Sequence, residues 1–446
     1  MSSPVIFPAE ELPSDGPLQR LLGLYPQVQE GLWLQRVKVL GGNLTAEQWA
    51  DLGSIVQEFT PNTPLHLTTR QDVEIHNIKL ADIVPIQQRL AEAGMTGLGS
   101  CGDTVRNVTV CVCAAVAAID LMPLAWAIRR LLEQMQGTYA LPRKFKISLS
   151  ACANACAQPW INDLGLIAMQ QNGRQGFRVI GAGSLGPKPV LGVTLFPFLD
   201  ANDVLPMVAA AVELFAEHGD RQNRRTARLR HARLRLGDEV FLRLLTERFV
   251  AAKARQSWPA AMIGPALCPE AAKADLAFVN GDVTPQQAAA ISELAARADL
   301  QFRIMNNHRI RMYAAEPQAL AAVVERPELA AAAAPQPIIV ACPGQRWCKH
   351  GLVDTNALAH RIKAELTGKI PAGASVCISG CPNGCAHTGV ADVGLSGGVN
   401  TIDGQRHDAF DLYFGGDMGH GEKLAQLDQR KLSVDEVLAA IAAHFG

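Results

Sequence analysis

The feature that most constrains this chain is that it repeats itself. Ile147-Ser-Leu-Ser-Ala-Cys152-Ala-Asn-Ala-Cys156-Ala aligns with Val376-Cys-Ile-Ser-Gly-Cys381-Pro-Asn-Gly-Cys385-Ala, and the match continues through Asp163-Leu-Gly-Leu against Asp392-Val-Gly-Leu, an offset of 229 residues from Cys152 to Cys381. A weaker match pairs His66 to His76 with Phe302 to Met312 at an offset of 236, from Thr68 to Ile304. Both offsets bring Cys111 near Cys342. Two matches at nearly equal offsets indicate a duplicated unit. The expectation is two similar halves about a pseudo-twofold axis, with a site where they meet, because concave pockets form between packed units.

The local signals are of mixed type. Thr45 with Gln48, and Ser433 with Glu436, form capping boxes ahead of helices, and Thr284-Pro285 and Asp354 open two more. The alternating runs Leu65 to His76 and Phe302 to Met312 read as strands. An Arg-rich stretch from Glu217 to Lys253 carries Leu229, Leu234, Val240, Leu242, Leu245 and Val250 at near-helical spacing, so it reads as a solvated pair of linker helices, not a nucleic-acid face. Ala330 to Pro337 reads as a loose connection.

Composition narrows the function classes. The 446 residues are 48% hydrophobic and 19% charged, enough apolar surface for a globular core and about three domain equivalents. Lys plus Arg number 41 against 42 Asp plus Glu, a net charge of -1 that offers neither nucleic acid nor an anionic membrane any bulk attraction. Eleven cysteines are too few, and odd in number, for a disulfide scaffold. Met1 to Leu18 has no signal-peptide pattern, and Val108 to Ile128 is interrupted by Asp120 and Pro123, so a cytoplasmic protein without a membrane span is expected.

Chemistry concentrates in two places. Cys342-Pro-Gly-Gln-Arg-Trp-Cys348 and Cys381-Pro-Asn-Gly-Cys385 present four thiols in two close pairs, which in a reducing compartment read as metal or cluster ligands. The five-residue gap between Cys342 and Cys348 suits a [4Fe–4S] cluster better than structural zinc, with buried structural thiols third. The other concentration is cationic: Arg70, Arg106, Lys144 and Lys146 lie in the first half, and on a strand Lys144 and Lys146 project to one face while Phe145 points to the other. If they converge, such cations would hold an oxyanion against an electron-rich metal.

These motifs, taken in order, carry a family resemblance. Thr68-Thr69-Arg70-Gln71, Asp103-Thr-Val-Arg106-Asn107, Leu141-Pro-Arg143-Lys144-Phe-Lys146, the Cys342 and Cys348 pair, and Ser379-Gly-Cys381-Pro-Asn383-Gly-Cys385 together resemble the sulfite and nitrite reductases that use sirohaem and a [4Fe–4S] cluster. The resemblance runs from about Leu21 onward. It implies an α+β fold, duplicated, with ferredoxin-like subdomains near residues 19–85 and 265–330 and two haem-binding subdomains, giving domains at 1–85, 86–256, 257–335 and 336–446. Cys342, Cys348, Cys381 and Cys385 would hold the cluster, with Cys385 bridging to the sirohaem iron, and Arg70, Arg106, Lys144 and Lys146 would surround the substrate. Thr68, Thr69, Gln71, Asn107, Arg143 and Asn383 match motif positions that would contact the cofactors.

The implied reaction is the six-electron reduction of sulfite or nitrite. Nitrite-type relatives commonly carry asparagine where this chain has Lys146, which favours sulfite; precorrin-3B synthases resemble the family but usually lack the Arg143 to Lys146 run. A non-catalytic iron–sulfur or zinc protein is the competing class. Gly181-Ala-Gly-Ser-Leu-Gly186 leads into Pro187 and Pro189, not a helix, so no nicotinamide or flavin fold is expected and electrons would come from a separate ferredoxin or flavoprotein. Cys111, Cys113, Cys152 and Cys156 read as vestigial, partly buried thiols, and Cys101, Cys268 and Cys377 as structural ones. His76, His350 and His387 read as supporting residues, not iron ligands.

Overall fold

The structure, a computed structural model, describes residues 16–112, 119–265, 272–297, 299–418 and 423–446. The readings made on residues 1–15, Cys113 and Cys268 lie outside the described residues.

The chain opens with α1 (Gly16–Leu21), β1 (Leu24–Pro26), β2 (Leu32–Val37), α2 (Ala46–Phe59), β3 (Leu65–Leu67), β4 (Val73–Lys79) and α3 (Ile83–Glu92). A larger unit follows: β5 (Val105–Val110), β6 (Ile119–Asp120), α4 (Met122–Gln134), β7 (Phe145–Ser150), β8 (Leu164–Gln171), β9 (Arg174–Gly181), β10 (Val193–Asp200), α5 (Val204–His218), α6 (Leu229–Leu236) and α7 (Asp238–Arg255). The plan then recurs on a smaller scale with β11 (Gly264–Pro265), β12 (Ala272–Ala277), β13 (Asp282–Val283), α8 (Pro285–Ala295), β14 (Leu300–Ile304), β15 (Arg309–Ala314), α9 (Pro317–Val324) and α10 (Pro327–Ala333). The last unit comprises β16 (Ile338–Ala341), α11 (Gly344–Trp347), α12 (Thr355–Leu366), β17 (Ser375–Ser379), β18 (Val393–Ile402), β19 (Gln405–Phe414), β20 (Gln426–Leu432) and α13 (Val434–Phe445).

The two large sheets have one topology. Their orders are β5-β7-β8-β9-β10 and β16-β17-β18-β19-β20; in each the first three strands are parallel and the last two antiparallel. The parallel strands read as near-continuous apolar runs because both faces are covered: Ser375 to Ser379 of β17 is buried throughout. No helix of the described residues is long and apolar enough to cross a membrane.

Both runs expected as single strands are hairpins. Leu65 to His76 turns between β3 and β4, and Phe302 to Met312 turns between β14 and β15. Thr68 N–H bonds to Asp72 O at 2.9 Å in the first, and Met305 N–H to Arg309 O at 2.8 Å in the second, so the two are equivalent elements even though neither is one strand. The first turn needs a left-handed residue and uses Gln71 (φ 62), not glycine. Its side chain donates to Val110 O (2.8 Å) and Ile304 O (2.9 Å) and accepts from Val110 N–H (2.9 Å), bonds that offset the conformational cost.

The halves interlock. Asp282 of β13 pairs with His66 of β3 from the first half, while Asn43 makes the reciprocal bridge to Arg303 of β14. Two glycines permit this exchange: a Cβ on Gly42 (φ +72) would lie 2.1 Å from Ile304 O, and one on Gly281 (φ +74) would lie 2.8 Å from Leu67 O. Leu65, Leu67, Ile75, Phe302 and Ile304 therefore share one buried core with Trp49 of α2 and Ile291 of α8. Capping boxes at Thr45, Thr284 and Ser433 and an Asp354 cap start α2, α8, α13 and α12 where the sequence places them.

Candidate functional site

Cys342 leaves β16 directly. Its Sγ accepts the Gly380 N–H at 3.1 Å, and its carbonyl accepts the Thr355 hydroxyl at 2.5 Å. No side chain fits at Gly380, where a Cβ would lie 2.8 Å from Gly344 Cα. The short α11 leads to Cys348, whose Sγ accepts the His350 N–H at 3.4 Å. Cys381 and Cys385 lie in the loop after β17, and the Thr69 hydroxyl of the first half donates to Cys385 O at 3.2 Å. Burial pushes the Cys342 thiol up to about 12, with Cys385 and Cys381 adding to it, and burial likewise raises Cys348 and Cys381, each of which feels Cys385. The four thiols thus share one field. Among the described residues no three His, Cys, Asp or Glu side chains are grouped to hold a single metal ion. Thiols raised in this way become ligands when a metal replaces their protons.

The Cys342–Cys348 loop is fastened to the first half and to the β13 strand inserted beside it. Trp347 stacks on His76 at 3.8 Å, the Arg346 guanidinium lies 4.2 Å over the same indole, and Arg346 pairs with Asp282 at 3.2 Å. The Gln29 amide donates to Arg346 O at 2.6 Å. Trp347→Ala removes a nearly buried aromatic from this joint and should lower stability by about 3–5 kcal/mol, seen as a lower urea midpoint at unchanged slope.

The cations come from the first half. Lys144 and Lys146 flank Phe145, whose ring is fully buried, so both ammonium groups leave the strand on its other side as expected. Neither ammonium makes a hydrogen bond or ion pair among the described residues. Burial and Arg228 push Lys144 down to about 8, and burial with Arg70, Lys144 and Arg228 holds Lys146 well below the usual lysine range; Cys385 opposes both shifts. The lysines of one half and the last cysteine of the other therefore act on each other. Arg70, at the first hairpin tip, donates to Asn162 Oδ1 (2.8 Å), Ile147 O (3.1 Å) and Asn107 O. Arg106 donates to Ser100 O and Gly102 O, both at 2.7 Å. Each guanidinium keeps a buried Nε without a partner.

Arg228 is the cation missed by sequence reasoning. It pairs with Asp163 at 2.7 Å, and that wholly buried carboxylate also accepts the Lys146 N–H at 2.8 Å. Arg230 donates to Ser184 O at 3.1 Å and to Lys188 O. The stretch expected to be a solvated linker thus supplies buried site residues. A signal was present: seven arginines stand between Asp220 and Asp238 without one acid, so at that end no acids accompany the bases. Asp72 and Asp163 act on Arg70, Asp72 acts on Arg106, and Asp163 pairs with Arg228, two carboxylates among five cations. Uncompensated buried charge of this kind is held when an anion fills the space.

The remaining motif residues divide. Thr69 and Asn383 sit on the cysteine loop, Asn383 bonding Cys381. Thr68 accepts from the Arg70 and Asp72 N–H groups, Gln71 is fully committed to β5 and β14, Asn107 donates to Val39 O (2.6 Å) and Arg70 O (3.1 Å), and Arg143 pairs with Asp103 at 3.2 Å. These four all make bonds within the protein frame; among them Asn107 keeps a buried oxygen, Oδ1, without a partner. His76 and His387 are buried and His350 exposed; His387 Nδ1 is also unpartnered. The glycine segment abuts the cysteine loop, Gly186 N lying 3.6 Å from a Cβ built on Gly384.

Residues 101–253 and 338–445 match the model of the nitrite and sulphite reductase 4Fe-4S domain, and residues 25–93 that of the nitrite/sulfite reductase ferredoxin-like half domain. The chain belongs to the nitrite and sulphite reductase family. This reductase is 26% identical over 444 residues to the chloroplastic ferredoxin–nitrite reductase of Arabidopsis thaliana, covering 93% of this chain and 76% of the relative. It is 27% identical over 437 residues to the ferredoxin–nitrite reductase of Synechococcus elongatus, covering 90% and 83%. Its fold matches the structure of the Mycobacterium tuberculosis NirA protein with a TM-score of 0.81 at 23% identity, over 95% of this chain and 85% of that one. This reductase is an oxidoreductase, and its two halves carry the duplicated fold of the family.

Proposed function

We propose that this reductase converts sulfite to sulfide, with the Cys342, Cys348, Cys381 and Cys385 thiolates holding a [4Fe–4S] cluster and the cationic face opposite Cys385 holding sirohaem and substrate. The observation that carries the reading is the pair of half-buried ammonium groups of Lys144 and Lys146, which have no acidic partner among the described residues and feel Cys385. The residues fit the groups: the thiols lie in one field with N–H donors aimed at sulfur, and unpartnered N–H groups and excess cations suit a polycarboxylate macrocycle. When bound, the coupled cofactors supply electrons one at a time and an iron for the substrate. Lys144 and Lys146 hold the substrate oxygens and, with lowered proton affinity, release protons to them as they leave as water. Arg70 and Arg106, anchored through their Nη atoms, add fixed positive field, and Asp163 with Arg228 keeps Lys146 in place. Electrons come from a separate ferredoxin or flavoprotein.

Nitrite is the second reading, supported by the relatives that bear the name ferredoxin–nitrite reductase. The visible spectrum of the purified protein is the first test. A strong Soret band with a red-region band is expected; a broad shoulder alone, or no absorption, would return the chain to the non-catalytic class. Steady-state assays with both anions and a chemical electron donor then choose the substrate.

A further inference from the structure

The first half contains its own copy of the thiol frame. Cys111 Sγ accepts the Ala151 N–H at 3.1 Å, as Cys342 Sγ accepts the Gly380 N–H at 3.1 Å. Cys152 receives the Asn154 N–H, as Cys381 receives that of Asn383. Ser150 Oγ accepts the Ala157 N–H at 3.3 Å and Ser379 Oγ that of Ala386 at 3.1 Å. The cross-half bond is also reciprocated: Asn306 of the second hairpin donates to Cys156 O at 3.0 Å, as Thr69 of the first donates to Cys385 O at 3.2 Å. Even the backbone agrees, for Ala155 takes φ 48 where Gly384 takes φ 64. Ala155 is buried against Ile167 and Ile180, so the left-handed turn that carries the sulfur-directed N–H groups is built into the fold of this half.

We propose that Cys111, Cys152 and Cys156 form a second iron–sulfur cluster site, with three thiolate ligands and one iron open to a non-thiolate ligand. The sequence alone suggests vestigial thiols, because Ala151 and Ala153 replace Gly380 and Pro382. The structure shows that those replacements leave the sulfur-directed geometry intact. The site carries no haem. At the repeat offset of 229, Lys144 and Lys146 correspond to Gly373 and Ser375, so the second half, which faces this site through Asn306, lacks the cations that a polycarboxylate macrocycle and an oxyanion require.

The test is iron and acid-labile sulfide on protein purified without oxygen and reconstituted with iron and sulfide. Two clusters and one haem give about nine irons per chain, and one cluster with haem about five. The Cys152→Ser/Cys156→Ser double variant should fall by about four irons with its Soret band unchanged, whereas Cys381→Ser should disturb the other cluster. About five irons in the wild type, zinc in place of the missing iron, or a double variant with the wild-type iron content would each overturn the proposal. A second measurement needs no variant: in native protein Cys111, Cys152 and Cys156 should resist alkylation until iron is chelated, and ready alkylation beforehand sinks the idea. Failure of the proposed reductase function would show separately, as a missing haem band.

Discussion

Lys146→Asn is expected to lower sulfite turnover by roughly 10- to 1,000-fold while leaving the sirohaem spectrum intact, the equivalent of about 2–4 kcal/mol of lost transition-state stabilisation. Lys146 is half-buried, has no acidic partner among the described residues and feels both Lys144 and Cys385, so its charge is directed at whatever occupies the space between the halves. A sulfite oxygen that gains negative charge as its bond to sulfur breaks draws more on that ammonium than the ground state does. Nitrite has fewer oxygens to hold, and its turnover should fall much less. The decisive measurement is kcat/KM for both anions in wild type and variant with the same chemical donor. An unchanged ratio, or a wild type that strongly prefers nitrite, removes the sulfite assignment while leaving the cofactor reading in place.

Asp163→Asn should destabilise the protein by about 3–5 kcal/mol, the range found when one partner of a buried pair is removed. The carboxylate is wholly buried, pairs with Arg228 at 2.7 Å and accepts the Lys146 N–H at 2.8 Å. An amide keeps the shape and loses the charge, leaving the cations around it with Asp72 alone. Asp103→Asn is the contrast: its partner Arg224 is 62% exposed, and such pairs contribute about 0–1 kcal/mol. Urea titrations of both variants, and of Asp163→Asn combined with Arg228→Met, settle the point. The combined change should recover part of the loss, since it removes the stranded charge together with its partner. Equal, small effects at Asp163 and Asp103 would mean that the site is not under electrostatic stress.

The duplication was legible because cysteine, asparagine and glycine recur at fixed spacing, and its offset correctly paired the two hairpins. The hairpins themselves were hidden. Leu65, Leu67, Val73 and Ile75 stay in phase across the polar Thr68 to Asp72, and the left-handed residue is a glutamine stabilised by carbonyls on strands far away in sequence, Val110 and Ile304, which no local rule reports. The same distance effect hid the bonds by which Gln71 and Asn107 brace the first hairpin against β5 and the loop before it. Lys144 and Lys146 were readable from strand alternation alone, since Phe145 between them had to turn inward. Arg228 was not, because its role depends on Asp163, 65 residues earlier.

The bond from Thr69 to Cys385 spans 316 residues. During synthesis at about 5–20 residues per second, the first hairpin waits roughly 15–60 s before the carbonyl it will bind has been made. The Cys342 frame and the Trp347 joint arrive nearly as late, and the β13 edge strand, 216 residues after His66, somewhat sooner. A half-made chain therefore has Arg70, Arg106, Lys144 and Lys146 in place without the cysteine loops of the last quarter, and loading of the site that needs Cys342 to Cys385 must follow the closing of that quarter onto the first. Limiting iron should then show itself as full-length, soluble, colourless protein, not as truncated fragments.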